Sequence, residues 1–76
     1  VPHVIVKLLS GRTEQQKLRI AEEVAKAVMA STGNGEEAVS VAIEDVERKD
    51  WVEKVYRPDI LGQWDKVLKK PGYDPL

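Results

Sequence analysis

Ala38-Val39-Ser40-Val41-Ala42-Ile43-Glu44 sets Val39, Val41 and Ile43 on one side of an extended chain and Ser40 and Ala42 on the other. That period of two predicts a strand over residues 38–44, continuing to Val46. Upstream, His3-Val4-Ile5-Val6-Lys7-Leu8-Leu9 is a second β-branched run, apolar almost throughout, as in a strand covered on both faces. Between the two runs Leu18, Ala21, Val24, Ala25 and Val28 recur at helical spacing, with Glu22, Glu23 and Lys26 turned to water. Thr13 stands three residues before Gln16, a capping-box start, and Gly33-Asn34-Gly35 ends the helix at Ser31 or Thr32. Glu36-Glu37 reads as a solvated loop. Strand, helix and strand in this order form a βαβ unit with parallel strands, right-handed in about 98% of cases.

Glu47 to Asp50 reads as a charged turn leading into Trp51. A second helix is predicted after Pro58, which a first helical turn tolerates, with Ile60, Leu61, Trp64, Val67 and Leu68 as its apolar face. Lys69 and Lys70 suit its carboxyl end, and Pro71-Gly72 stops it. The 76 residues thus make a single α/β domain with no linker, repeat or low-complexity tract. Two parallel strands with open edges bury little, and a chain this short has little stability to spare. No cysteine is present for a disulfide or thiolate site, and the single histidine, His3, makes an all-protein zinc site a poor fit. Self-association is the remaining source of burial. Two copies would join their strands into a four-stranded sheet with the helices on one face.

A formal net charge of -1 with 33% charged residues gives no general attraction to nucleic acid or anionic membrane. The strands lack the paired aromatics of an RNA-binding sheet. No apolar run approaches the roughly 20 residues that cross a bilayer, and the start lacks a secretory pattern. The expectation from these features is a cytoplasmic protein.

Phosphate-binding glycine loops, nucleophilic cysteines and GxSxG are absent. Pro2 has unusual chemical potential. Freed of Val1, it carries a secondary amine, and α-amino groups titrate close enough to neutral pH to serve as acid and base. A neighbouring cation or partial burial favours the neutral amine further. Arg12, just before a helix start, is electrostatically unfavourable there unless an anion binds nearby.

Pro2, the apolar strand behind it and Gly11-Arg12-Thr13-Glu14-Gln15-Gln16-Lys17 resemble the opening of the 4-oxalocrotonate tautomerase family. The likeness continues through Val39-Ser40-Val41-Ala42-Ile43-Glu44 to Trp51. Trp64 with Lys69-Lys70-Pro71-Gly72-Tyr73 is similar to a longer, phenylpyruvate-tautomerase-like subgroup that assembles as dimers. The resemblance implies the tautomerase fold, a homodimer rather than a hexamer, no metal or organic cofactor, and proton transfer on a small 2-oxo or 2-hydroxy carboxylate. It implies that Pro2 is the general acid and base, that Arg12 holds the substrate carboxylate, and that Trp51 walls the pocket. Ser40 stands where hexameric members carry a second arginine. A serine donates a hydrogen bond without charge, so the resemblance points to a monocarboxylate such as an aryl or alkyl enolpyruvate.

Two other readings compete. One is a hydratase, dehalogenase or decarboxylase of the same wider superfamily, which uses the proline as an acid with further arginines or a water-activating carboxylate. The other is a non-catalytic oligomeric binding module, which follows if Val1 stays attached and Pro2 nitrogen is an unreactive amide.

Overall fold

The computed structural model describes residues 1–76. Strand β1 (His3–Leu9) leads through Ser10-Gly11-Arg12 to helix α1 (Glu14–Thr32), and a single 3-10 turn (Glu36–Ala38) precedes strand β2 (Ser40–Val46). A second 3-10 turn (Arg48–Asp50) feeds helical segment α2 (Val52–Leu61), and a third (Trp64–Lys66) opens the tail. The capping box is formed at both of its bonds. Gln16 N–H donates to Thr13 Oγ1 at 3.1 Å, and Thr13 N–H donates to Gln16 Oε1 at 2.9 Å. Gly33 ends α1 at φ 78°, a left-handed conformation that costs glycine nothing, and its N–H donates to Met29 O.

β1 and β2 pair in parallel, from His3 opposite Ser40 to Leu9 opposite Val46. Alternation then divides the sheet. Val4, Val6 and Leu8 share a face with Val41, Ile43 and Asp45, while His3, Ile5, Lys7 and Leu9 share the other with Ser40, Ala42, Glu44 and Val46. Helix α1 lies on the first face, pinned where Lys17 Nζ reaches Asp45 Oδ2 at 2.9 Å and Glu14 Oε1 at 3.0 Å. Ala21, Val24, Ala25 and Val28 are half-buried as their spacing requires, joined by Ile20 and the Lys17 stem. Leu18, expected in this stripe, is 61% exposed, because Lys17 takes the sheetward position beside it.

Three other expectations shift. β2 begins at Ser40, since residues 36–38 wind into a 3-10 turn that keeps Ala38 out of the ladder. The second helix starts at Val52 and contains Pro58, rather than starting after it. What fixes it there is Val55 and Tyr56, which are 5% and 4% exposed; Leu68, assigned to the apolar face of a later helix, is 95% exposed. Pro58 has no N–H and its ring crowds the carbonyl four residues back, which an ordinary α-helical ladder cannot absorb. The segment is instead π-wound, and closes with Gly62 N–H on Arg57 O at 2.8 Å. A Cβ on Gly62 would stand 2.6 Å from Pro58 O, so the closure needs glycine.

The helices also do not share a face. α2 turns to the side of the sheet opposite α1, where Lys7 Nζ donates to Asp59 Oδ2 at 2.5 Å and Val46 is buried. The apolar residues Val55 and Tyr56 need cover, and only that second face is free to give it. Even so, just three of the 76 residues are buried, all of them in or against this C-terminal layer: Val46, Val55 and Tyr56. Ile5, Leu18, Trp64, Leu68 and Leu76 stay open. No helix is long and apolar enough to cross a membrane.

The docking of α2 is sensitive to alkali. The hydrogen bond from Lys7 to Asp59, with the charges of Asp59 and Glu44, raises the Lys7 pKa above its ordinary 10.5 against the opposing effect of desolvation. Burial raises Tyr56 above its ordinary 10.0, helped by Asp74 and Tyr73. Both folded values exceed the unfolded ones, so both contributions are complete below pH 10 and are lost as pH climbs through the folded values. In a Trp64→Phe background, Trp51 emission, which reports the α2 layer, is therefore expected to hold steady to pH 10 and to change above it. In Asp59→Asn the change should begin at lower pH; an unshifted profile would remove Lys7 as its cause.

Candidate active site

The parallel register sorts the candidate residues into two groups at opposite ends of the sheet. Pro2 precedes β1 and Ser40 opens β2, so both lie at the amino-terminal end, where Ser40 N–H donates to Pro2 O at 3.2 Å. Arg12 follows the end of β1, and Trp51 follows the end of β2. Seven-residue strands separate the two ends by roughly 20 Å at about 3.3 Å per residue. Pro2 and Ser40 are brought together; Arg12 and Trp51 are not brought to them within one chain.

At the amino-terminal end the pairing adds a residue that sequence reasoning weighed only as an insufficient zinc ligand. His3 faces Ser40 across the ladder, and its Nδ1 lies 2.6 Å from Ser40 Oγ. When Nδ1 carries a proton it donates to Ser40, leaving the hydroxyl free to donate outward. When it does not, the Ser40 hydroxyl donates to His3 and faces an incoming group only as an acceptor. The signal was the shared strand position, visible only once the register is known. Val1 projects entirely into solvent, so no packing depends on it.

At the carboxyl-terminal end Trp51 forms one wall of a cleft with Leu9, Val52, Tyr73 and Pro75. Trp51 Nε1–H donates to Tyr73 Oη at 2.9 Å, and the Tyr73 ring lies 5.6 Å from that of Tyr56 at a 42° tilt. The tail thus folds back over α2. Arg48, three residues before Trp51 and so on the same side of the helical turn, also lines this cleft. Sequence reasoning passed over Arg48 because it sits in the charged run Glu47-Arg48-Lys49-Asp50. Arg12 is placed elsewhere, lining a shallow depression on α1 with Gln15, Gln16, Arg19 and Ile20. No three His, Cys, Asp or Glu side chains gather as a metal site would need.

Residues 2–56 match a family described as tautomerase enzyme. A probable tautomerase of Xylella fastidiosa is 43% identical over 76 residues, which is 100% of this chain and 93% of the relative. The tautomerase PptA of an Enterobacter species is 31% identical over 74 residues, 96% of this chain and 97% of its own. Among solved structures, one of the 4-oxalocrotonate tautomerase isozymes of Methylibium petroleiphilum superposes with TM-score 0.64 at 40% identity, over 66% of this chain and 81% of that one. The full-length relatives align through the tail; the family match ends at residue 56, before Tyr73 and Pro75.

The bond from Trp51 to Tyr73 joins tail to cleft alongside the Tyr56–Tyr73 ring contact, and Tyr73→Phe tests it alone. Losing one such bond is expected to cost about 1 kcal/mol in denaturant unfolding. In a Trp64→Phe background, where Trp51 is the remaining indole, acrylamide should also quench emission more readily. Unchanged quenching would mean that the tail is held by other contacts.

Proposed function

We propose, from the premise that this chain belongs to the tautomerase family and is a tautomerase-type isomerase, that it ketonises a small enol monocarboxylate with Pro2 as acid and base. With Pro2 as first residue, its amine takes the proton from the 2-hydroxyl of an enolpyruvate and returns it to C3. One O–H bond is broken, one C–H bond is formed, and the electron pair moves from the C=C bond to that new bond as C2=O forms. Ser40, steadied by His3, donates to the developing carbonyl oxygen. Trp51 excludes water, and an arginine of the carboxyl-terminal end, for which the family resemblance offers Arg12 and the cleft beside Trp51 offers Arg48, holds the carboxylate. With Val1 attached, Pro2 nitrogen is an amide and the reaction stops.

The observation that carries this reading is the division of the site between the two ends of the sheet. A two-fold axis that sets one strand pair antiparallel to another brings the amino-terminal end of one copy to the carboxyl-terminal end of the second. Pro2 and Ser40 of one copy then meet Trp51 and an arginine of the other, and both ends of the dimer are completed at once. The same joining extends the two-stranded sheet to four strands and gives cover to Ile5 on the sheet. Ser40, in place of a cation, favours a monocarboxylate over a diacid such as the 4-oxalocrotonate for which the Methylibium isozymes are named.

Untagged protein of intact mass lacking Val1 is expected to ketonise phenylenolpyruvate and to sediment as a dimer. Pro2→Ala should reduce kcat/KM by at least the roughly 100-fold typical of general acid–base groups. A full rate with residue 1 retained sinks the proline mechanism, and activity on 3-haloacrylates alone favours the hydratase or dehalogenase reading.

Subunit mixing tests the divided site directly. Inactive Pro2→Ala and a Trp51→Ala variant of low activity, once unfolded and refolded together, are expected to regain activity because mixed dimers contain one intact site. No gain over the separate variants would place the whole site in one chain.

A further inference from the structure

The cleft at the carboxyl-terminal end has a volume of about 360 Å³, at the small end of the roughly 300–1,000 Å³ usual for ligand pockets. Its walls are Leu9, Trp51, Val52, Tyr73 and Pro75, and Arg48 is the one charged residue among them. Arg48 takes part in none of the protein's ion pairs. Its acidic neighbours are engaged elsewhere: Glu47 accepts from Ser10 Oγ at 3.2 Å, and Asp50 lies 3.6 Å from Lys54 Nζ. The indole N–H is taken by Tyr73, so it does not compete for a ligand's polar group. What remains is an apolar slot with a single unmatched guanidinium. Guanidinium binds carboxylate through two parallel N–H donors, which fixes orientation as well as charge.

We infer that Arg48 anchors the carboxylate of a monocarboxylate ligand whose aryl or branched-alkyl body lies against Trp51, Val52 and Tyr73. This rests on the reading of the chain as an enol-carboxylate tautomerase, and specifies which arginine meets the substrate and which substrates fit. Arg12 lines a different depression, beside Arg19, whose own guanidinium is paired with Glu23 at 3.4 Å. A diacid would bring a second carboxylate against apolar walls with no cation to receive it, at the cost of desolvating that charge. Tyr73 and Pro75 lie beyond residue 56, where the family match ends, so the tail shapes a specificity that the shorter shared unit lacks.

The test reads binding rather than chemistry. In Trp64→Phe protein Trp51 is the remaining tryptophan of two, and its emission is titrated with 3-phenylpropionate, a saturated carboxylate that cannot tautomerise. A saturable change is expected, weakened about tenfold or more by Arg48→Gln, equivalent to ~1.4 kcal/mol per tenfold. Arg48→Lys, which keeps charge without the planar fork, should fall between the two. Neutral 3-phenylpropan-1-ol and the diacid hexanedioate should each bind at least tenfold more weakly. Arg48 is exposed, and far-ultraviolet circular dichroism checks that its variants fold. No saturable change, equal binding of the alcohol, or an Arg12→Gln loss as large as that of Arg48→Gln overturns the assignment. Phenylenolpyruvate turnover is measured on the same proteins. Normal probe binding without turnover sinks the tautomerase reading alone; turnover with an unchanged KM in Arg48→Gln sinks the Arg48 anchor alone.

Discussion

Parallel strands cannot be joined by a tight turn, because the chain must travel back the length of the sheet before the second strand begins. Here the return is α1, and the consequence is positional. Everything that precedes a strand lies at one end, and everything that follows a strand lies at the other. Pro2 and Ser40 share the first end, and their backbones are bonded there; Ser10 N–H donates to Val46 O at 3.0 Å and closes the second end in the same manner. Arg12, Arg48 and Trp51 all follow strands. No side-chain rotation brings the two sets together across roughly 20 Å of sheet, whose length at about 3.3 Å per residue is fixed by its seven register pairs. The chemistry proposed for this chain therefore needs two copies, and the need follows from the pairing direction.

Burial leads to the same assembly by another route. α1 covers one face of the sheet and α2 part of the other, yet two strands give each helix too narrow a platform. Most apolar side chains end half-buried, and the fully buried set is confined to Val46, Val55 and Tyr56. A folded chain of this size gains from apolar area at about 25 cal/mol per Å² while losing conformational entropy at every residue. The open Ile5 at the sheet, and Leu18 on α1, are surface that a second copy can cover. A second copy covering this surface would also complete the proposed site.

Much of this was legible in the residues. Alternation defined β2, a nearly continuous β-branched run defined β1, and the Thr13–Gln16 pair and Gly33 bounded α1, because each signal is local and no later packing competes with it. α2 was not legible in the same way. Pro58 is a strong local signal for a helix start, and it outweighed the weaker three-and-four spacing of Val52, Val55 and Tyr56 that tertiary burial rewards. π-winding is the form that lets both hold. At the candidate site, Pro2, Arg12, Ser40 and Trp51 were candidates from pattern and resemblance, and the register sorts them between the two ends of the sheet. The pairing of His3 with Ser40 could not be read in advance, because it depends on register. Arg48 was hidden for a different reason: in a run of four charges nothing local distinguishes the one that borders the cleft.

The tail gives these late positions a common purpose. The π-wound α2 closes at Gly62, and one 3-10 turn later the chain runs back without regular structure. Lys70 Nζ sits 4.9 Å from the centre of the Trp64 ring and also donates to Val67 O, which draws the returning chain against that turn. The return carries Tyr73 to two aromatic partners at once: its ring to Tyr56 beneath, its hydroxyl to the Trp51 indole beside. Tyr56 is buried partly by this contact, and Trp51 is fixed in direction by it. With the indole N–H satisfied by Tyr73, the cleft is lined by apolar and aromatic side chains up to Arg48. A wall of that kind rewards a ligand with one charge and an apolar body, and penalises one with charge at both ends. On the proposed reading, the βαβ unit fixes where Pro2 and Ser40 stand, and Tyr73 and Pro75 bound the cleft that a ligand would enter.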